Sequence, residues 1–543
     1  MNNETITKHE PLRRSFLLPS LIFLGMAAWI LRQSFLNFGE VIPGAPVSDL
    51  WNGLWSFHFI QESMQEYRFS TWTNQLNYPH GGSLVPADIF GGILFALFSP
   101  LGDIGIQYTM VVFVQLFLAA LGASLLFREI YSNVTVLQSI VVGVLVQLSP
   151  MMLTSIHNGS TEVMSIGMVL LAINGYLRFF RGEKWGLILV LSSIITSWYG
   201  VLMLLSFMCC HSLLHRRSIQ KRHCNGFLIY AFVLIPYALF FLNQSSQKGN
   251  LIGIKSKEEL ALIRRTIGSS DPLSYLLPHP YISPDFSFIS RYQEQFVHSS
   301  YVGLSLVALF VIQIIRNSKR KMKRDLLMWG VLGFFLSLGP VLVIQAEPFI
   351  AFDRGIPLPY FLVEKLPGFS SLSLLYRFSL LPFLALLFLS IAHLSSRVTV
   401  VFAIVFIIEA KCIAPSKDLP YFSSMPHLEL QEEMDGAVGE YPITAGRASL
   451  FLQTEHNQPV LRSLNFSLNA EMKLFLDYAN SLDVDSSFAQ KVENYGKEKG
   501  IRYLLFNRDP SIMPDQYFLA MEEIFRQFPT ISRKTEYKMV KLY

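Results

Sequence analysis

The chain has 543 residues, of which 51% are hydrophobic and 15% charged, and a formal net charge of +5 at pH 7. Its apolar residues fall in blocks too long for a soluble core, which excludes a soluble globular protein and indicates a polytopic α-helical membrane protein. Residues 414–543 carry 14 basic and 18 acidic side chains, a net of −4, so residues 1–413 carry about +9; a basic excess confined to the apolar part reports orientation in a bilayer rather than a nucleic-acid partner.

The first block, residues 15–31, follows "PLRRSF" and has the look of a signal peptide. Further blocks follow it and no small-residue cleavage site does, so it reads as an uncleaved first span. The other candidate spans are 105–127, 134–151, 161–178, 185–197, 199–213, 226–243, 300–315, 326–345, 378–394 and 398–413, about 11 in all. Arg13 and Arg14 place the amino terminus inside, and alternation then puts "RFFRGEK", "HRRSIQKRH", "RNSKRKMKRD" and "HLSSR" inside, each rich in Lys or Arg. The charge rule itself demands the break at "SWYG", where Trp198 and Tyr199 suit an interfacial turn. Cys209, Cys210, Cys224 and Cys412 have neither disulfide nor metal-ligand spacing.

An odd span count leaves residues 414–543 outside the cytoplasm. There, strand-like "RASLFLQ", "PVLRSL" and "IRYLLFNR" alternate with helix-like "AEMKLFLDYANSL" and "PDQYFLAMEEIFRQF", as in a small extracytoplasmic α/β domain. The expected organisation is thus a membrane domain, 1–413, with a large first outer loop at 32–88, followed by an outer domain, 414–543.

Groups capable of chemistry concentrate in the outer loops. In the first, Pro46 and Ser48 start a helix and Asp49 falls in its first turn, on a face with Asn52, Gly53 and Ser56; Leu50, Leu54 and Phe57 share another face, flanked by Trp51 and Trp55. Such a helix is expected along the membrane surface with its acid away from lipid, and a bland alternative is an acid that merely suits the helix dipole. "TNQLNYPHGGSLVPAD" presents Tyr78 and His80 on a Pro/Gly turn and closes on Asp88. "SIHNGSTEVMS" offers His157 and Glu162, although Glu162 also fits a first-turn acid. The 244–299 loop carries His279 among prolines, together with Arg264, Arg265 and Arg291, and reads equally well as an irregular lid. Between the ninth and tenth spans, Arg354 and Arg377 are cations at the outer boundary, suited to phosphate or to snorkelling.

"VSDLW", "LNYPHGGSL", "HNGSTEV", "SWYG" and "LPGFSSLSLLYRF", in this order and sidedness, resemble the GT-C superfamily of multi-pass glycosyltransferases, particularly its prokaryotic members, over roughly residues 15–413. The resemblance implies a polyprenyl-phosphate-linked sugar donor held in the cytoplasmic membrane, an extracytoplasmic acceptor, and a catalytic acid in the first outer loop, a role that falls on Asp49. Many members pair two acids there, whereas the nearest acids here are Glu40 and Glu62. Arg377 and Arg354 would hold the donor phosphate; Tyr78, His80, Asp88, His157, Glu162 and His279 would contact substrate. Some of these acids, with Asp49, could hold a divalent ion such as Mg or Mn. Two other readings share the topology: a lipid-linked saccharide transporter or flippase, and a non-catalytic envelope-assembly protein. Ion-coupled carriers place charges in mid-span, where this chain has almost none.

Overall fold

The computed structural model describes residues 12–46, 48–67, 72–84, 88–215, 226, 228–232, 234–235, 251–252, 257–266, 268–277, 300–316, 323–344, 347–351, 354–366, 369, 372–412, 422–430, 433–441, 448–462, 474, 487–507, 526–533 and 537–543. The principal helices are α1 Leu12–Ile30, α2 Leu50–Gln65, α3 Ile89–Leu97, α4 Ile104–Ile130, α5 Val136–Gln147, α6 Pro150–His157, α7 Thr161–Met164, α8 Ile166–Arg181, α9 Gly186–Ser192, α10 Trp198–Leu214, α11 Leu304–Arg316, α12 Arg324–Ser337, α13 Leu380–Ile391, α14 Ser396–Cys412, α15 Ala448–His456 and α16 Phe488–Lys499.

Apolar blocks and helices coincide because buried main chain without water must satisfy its own amides. Three stretches, Ile104–Ile130, Val136–His157 and Thr161–Arg181, are helical, long and apolar enough to cross a membrane, and shorter apolar helices surround them. The seventh expected span, 226–243, lies largely outside the described residues. The chain does break at "SWYG": a 3-10 turn ends at Ile195, and the Ser197 hydroxyl accepts from Gly200 N to start α10.

Close packing of the bundle rests on small residues. A Cβ on Gly122 of α4 would lie 2.7 Å from Gly167 O, and one on Gly167 of α8 would lie 2.3 Å from Leu118 C, so the two backbones touch where they cross. Gln147 stitches α5 to its neighbours by donating to Phe23 O and Leu116 O, each at 3.1 Å. Glu409, the one acid well inside α14, caps another helix: its carboxylate accepts from the Tyr301 hydroxyl and from the amides of Leu304 and Ser305.

Toward the carboxy terminus a four-stranded mixed sheet forms. Ala437–Tyr441 runs parallel to Ile501–Asn507, which pairs antiparallel with Tyr537–Lys541, and Thr530–Arg533 closes the edge. "IRYLLFNR" is therefore a strand, as its alternation suggests. "RASLFLQ" is not: residues 448–456 form α15, and among the described residues of "PVLRSL" a bridge joins Val460 to Val438. "AEMKLFLDYANSL" and most of "PDQYFLAMEEIFRQF" lie outside the described residues.

α15 corrects the expectation for α2. Instead of resting on a lipid surface, α2 is enclosed: Trp51 and Trp55 are each 1% exposed. The Trp51 ring stands 5.8 Å from that of Phe451, and the Trp55 indole N–H donates to Gln453 Oε1 at 2.7 Å. Large aromatics with a polar handle bury well only where that handle finds a partner, and α15 provides it. Gln453→Leu leaves the indole N–H buried without an acceptor. It is expected to cost about 1–3 kcal/mol, seen as a lowered unfolding temperature of the detergent-solubilised chain; an unchanged temperature would refute this role for the contact.

Candidate functional site

The segment 157–165, "HNGSTEVMS", is the hub on which the other outer motifs converge. On one side it receives the start of α2. Ala45 N donates to His157 O at 2.7 Å and Asp49 N to Asn158 O at 3.1 Å. Gly159, with φ +64°, permits this approach, since a Cβ there would lie 2.4 Å from the Leu50 backbone. Gly53 of α2 faces Gly159 O and the Thr161 methyl. Asp49 thus arrives at the hub through its backbone.

Its carboxylate is not used as a helix cap. Asp49 stands just before α2 at φ −72°, ψ 0°, without a side-chain capping bond, and the Ser48 hydroxyl takes Leu50 N at 3.2 Å instead. Asn52, one turn on, donates to Asp49 Oδ1 at 3.0 Å. The half-buried acid is therefore held from the helix side, which the bland dipole reading does not require.

Asp88 meets the other end of the hub and is a different kind of acid. It is 2% exposed. Oδ1 accepts from Gly91 N at 2.9 Å, capping α3, and from the Ser165 hydroxyl at 3.0 Å; Oδ2 accepts from Gln115 at 2.7 Å. Burial raises its pKa from 3.8 to about 6, partly offset by these donors, and the nearby negative charge of Glu162 adds to the rise.

Between the two acids, Glu162 forms a buried ion pair with Arg377, the side chains being 13% and 5% exposed. The Arg377 guanidinium lies 4.8 Å over the Tyr199 ring. The Tyr199 hydroxyl accepts from the amides of Ser373 and Leu374 at 3.2 and 2.9 Å, and the Ser197 hydroxyl donates to Glu162 O at 3.4 Å. "SWYG" is therefore a scaffold for "SLSLLYRF" as well as a turn. Arg264 joins from a third segment; it is 7% exposed and donates to Leu372 O at 3.4 Å. Sequence reasoning named Arg264 only as loop charge and missed Tyr199, whose signal lies in contacts rather than in pattern.

Several buried polar atoms on these same residues lack a hydrogen-bond partner among the described residues: Asn52 Oδ1, Gln115 Oε1, Arg377 Nε and the Tyr108 hydroxyl. Buried polar atoms of this kind beside two acids and an arginine leave hydrogen-bonding capacity that water or a ligand can take up. The structure thus unites Asp49, Asp88, His157, Glu162 and Arg377 around one segment. Tyr78 and His80 sit apart: their turn docks on the carboxy-terminal part, with Tyr78 N donating to Val460 O at 3.1 Å and the Tyr78 hydroxyl against Gly500, while His80 is exposed. His279 and the Arg354 side chain lie outside the described residues. No three of Asp49, Asp88, His157 and Glu162 bring ligand atoms within 4.8 Å of one another; among the described residues the group that does lies elsewhere.

A family model described as "Domain of unknown function (DUF6311)" matches residues 24–411. No curated protein matches the sequence. Among solved structures, the chain is similar to the arabinofuranosyltransferase AftD from Mycobacteria, with TM-score 0.54 and 12% identity over 98% of this chain and 42% of that one. It therefore spans about two fifths of that protein's length. Looser likenesses are the oligosaccharyltransferase of Archaeoglobus fulgidus, solved with Zn and sulfate (TM-score 0.49, 11% identity, 91% of this chain and 68% of that one), and ArnT from Cupriavidus metallidurans (0.45, 11%, 98% of each). The likeness to the arabinofuranosyltransferase, at 12% identity, is one of fold alone.

Two outcomes follow from this geometry. Removing one partner of the buried pair strands the other, so Arg377→Leu is expected to cost about 3–5 kcal/mol, with Glu162→Leu added to it restoring a large part; thermal unfolding of the single and double variants measures the coupling. Because the folded-state pKa of Asp88 is raised from 3.8 to about 6, the native protein binds the extra proton. Stability from this group is therefore full below about pH 4 and lost as pH rises through about 6, a change of ~3 kcal/mol. Relative to Asp88→Asn, the wild type should gain stability on acidification from pH 7.5 to 4.5, and a difference that stays flat would contradict the assignment.

Proposed function

This chain belongs to the DUF6311 family, and we propose that it is a membrane glycosyltransferase that moves a sugar from a polyprenyl-phosphate carrier to an acceptor outside the cytoplasm. The observation that carries this reading is the convergence of a half-buried acid, Asp49, held by Asn52, and a buried cation, Arg377, on one segment, with unpartnered polar atoms on Asn52, Gln115 and Arg377 beside it.

In this reading Asp49 is the base. An acceptor hydroxyl oxygen bonds to the anomeric carbon of the donor as the bond from that carbon to the phosphate oxygen breaks, and the hydroxyl proton passes to the Asp49 carboxylate. Asn52 fixes the orientation of that carboxylate through its 3.0 Å hydrogen bond. The bonding electrons leave with the phosphate, so negative charge grows on the lipid carrier, where a preorganised cation contributes most. Arg377 supplies it, its guanidinium held by Glu162 on one side and the Tyr199 ring beneath. The amino end of α10 lies beside this pair, with the Ser197 hydroxyl capping it and donating to Glu162 O.

Asp88 and Glu162 act on position rather than on substrate. Both Asp88 oxygens are engaged by neighbours and Glu162 is paired with Arg377. A hard divalent ion such as Mg or Mn wants six or more oxygens, and with these two acids committed Asp49 remains the principal protein donor. The residues do not form a ready cage for such an ion, and no step of this mechanism runs through one. Positive-inside orientation of "RFFRGEK" and "RNSKRKMKRD" supports a site on the outer side of the cytoplasmic membrane, where a lipid carrier would enter from the bilayer and its sugar meet the acceptor.

Asp49→Asn keeps the size and the contact to Asn52 but cannot take the proton. Transfer from a polyprenyl-phosphate sugar, measured in membranes carrying equal amounts of protein, is expected to fall about 10²–10⁴-fold. Retention of full transfer would remove Asp49 as base, and loss of lipid translocation with transfer intact would favour a carrier.

A further inference from the structure

A second polar cluster sits at the opposite end of α10. This helix and α12 lie side by side: Phe207 meets Trp329 edge-on at 5.4 Å, and the Trp329 indole donates to Met203 O and to the Ser206 hydroxyl at 3.3 and 3.0 Å. One turn beyond Phe207 is His211, and one turn further is His215; one turn before Trp329 is Asp325. The i, i+4 spacing brings the imidazole of His211, in the last turn of α10, and that of His215, the residue just past its end, to the side that meets the carboxylate of α12. One ligand atom from each of His211, His215 and Asp325 lies within 4.8 Å of the others.

We propose that His211, His215 and Asp325 bind a zinc-class divalent ion that staples α10 to α12. Two imidazoles at i, i+4 and one carboxylate from another segment are a donor set that borderline first-row ions favour over magnesium or calcium. Zinc bonds of about 2.0–2.1 Å set tetrahedral ligand atoms roughly 3.3 Å apart, so the cluster needs a modest inward movement. His215 is exposed and Asp325 half-exposed, and both have room to make it.

A further contact separates this cluster from a chance grouping at a helix end. The Tyr176 hydroxyl lies 3.2 Å from His211 Nδ1, and the same hydroxyl meets the Ser212 hydroxyl at 3.1 Å. A hydrogen bond to one ring nitrogen fixes the orientation and tautomer of a ligating histidine, and the metal bond on this ring would then fall on Nε2. Aromatic packing around His211 by Tyr176, Phe180 and Phe207 locks the ring further. The bland reading of Asp325, an acid in the first turn of α12, explains its position along that helix but not its meeting with two imidazoles of another. The ion would stand open on one side, with water completing its shell. At 1.5 Å per residue, His211 is roughly 18 Å along α10 from Tyr199, so this site is distinct from the one proposed for sugar transfer and does not rest on that proposal.

The test uses the purified full-length chain in detergent, stripped with chelator and titrated with Co(II) and then Zn(II). The expected result is one equivalent of cobalt with the visible ligand-field bands of a low-coordinate N/O site, displaced by zinc. His215→Ala and Asp325→Asn should each weaken binding at least tenfold, Tyr176→Phe should weaken it about tenfold while keeping one equivalent, and Asp49→Asn should leave it unchanged. Zinc should raise the unfolding temperature of the wild type and not that of His215→Ala, while the two match in chelator. Equal cobalt uptake by wild type and His215→Ala, or no uptake at micromolar metal, would overturn the proposal.

Discussion

The pairing of Glu162 with Arg377 over the Tyr199 ring is the contact on which the end of this molecule that carries Asp49 and Asp88 depends. It ties together three segments that are far apart in sequence, and each brings a polar group of its own. Taking two charges out of water is expensive, and an apolar pair of similar volume would often be as stable. What such a pair does supply is direction: a carboxylate and a guanidinium fit in few arrangements, so the loop holding Glu162 has a defined position, and Asp49 is fastened to that loop through Asn158. The ion pair therefore sets where Asp49 stands relative to Arg377.

Around this contact the molecule divides by chemistry along the helix axes. At one end, α7 and α10 begin, α2 docks and Asp88 is buried; at the other, Arg178 and Arg181 pair with Glu129 and the basic loops follow. Between the ends, glycine crossings and amide stitches such as Gln147 keep the bundle close packed. Among the described residues the carboxy-terminal part is joined to this frame at three places: Phe422–Ser424 pairs antiparallel with Val41–Pro43, α15 seals the tryptophans of α2, and the "NYPHG" turn lies along residues 460–462 through paired backbone hydrogen bonds. It acts there by enclosing the helix that Asp49 immediately precedes.

Much of this was readable in advance, for identifiable reasons. Long apolar runs announce helices because hydrocarbon leaves the backbone no alternative, and the break at "SWYG" followed from charge alternation alone. Asp49 stood out by sidedness and by the aromatics after it. Three features were not legible. The burial of Trp51 and Trp55 depends on Phe451 and Gln453, a separation of 398 residues for the latter pair, and no local pattern encodes so distant a partner. "RASLFLQ" has the alternation of a strand, yet it packs as a helix against α2, where tertiary burial overrides a short and ambiguous signal. Tyr199 resembled any interfacial tyrosine, because its use lies in two amides and a guanidinium that only the fold delivers.

The enclosure of α2 also sets an order of events during biosynthesis. A ribosome completes α2 long before it reaches Gln453, so the paired indoles must wait, uncovered, while the rest of the bundle is threaded into the bilayer. Only when the final quarter of the polypeptide has emerged does the first loop acquire its lid. The covering of α2 is consequently a late product of assembly, and a chain that stopped before residue 448 would leave Trp51 and Trp55 without the Phe451 ring and the Gln453 side chain.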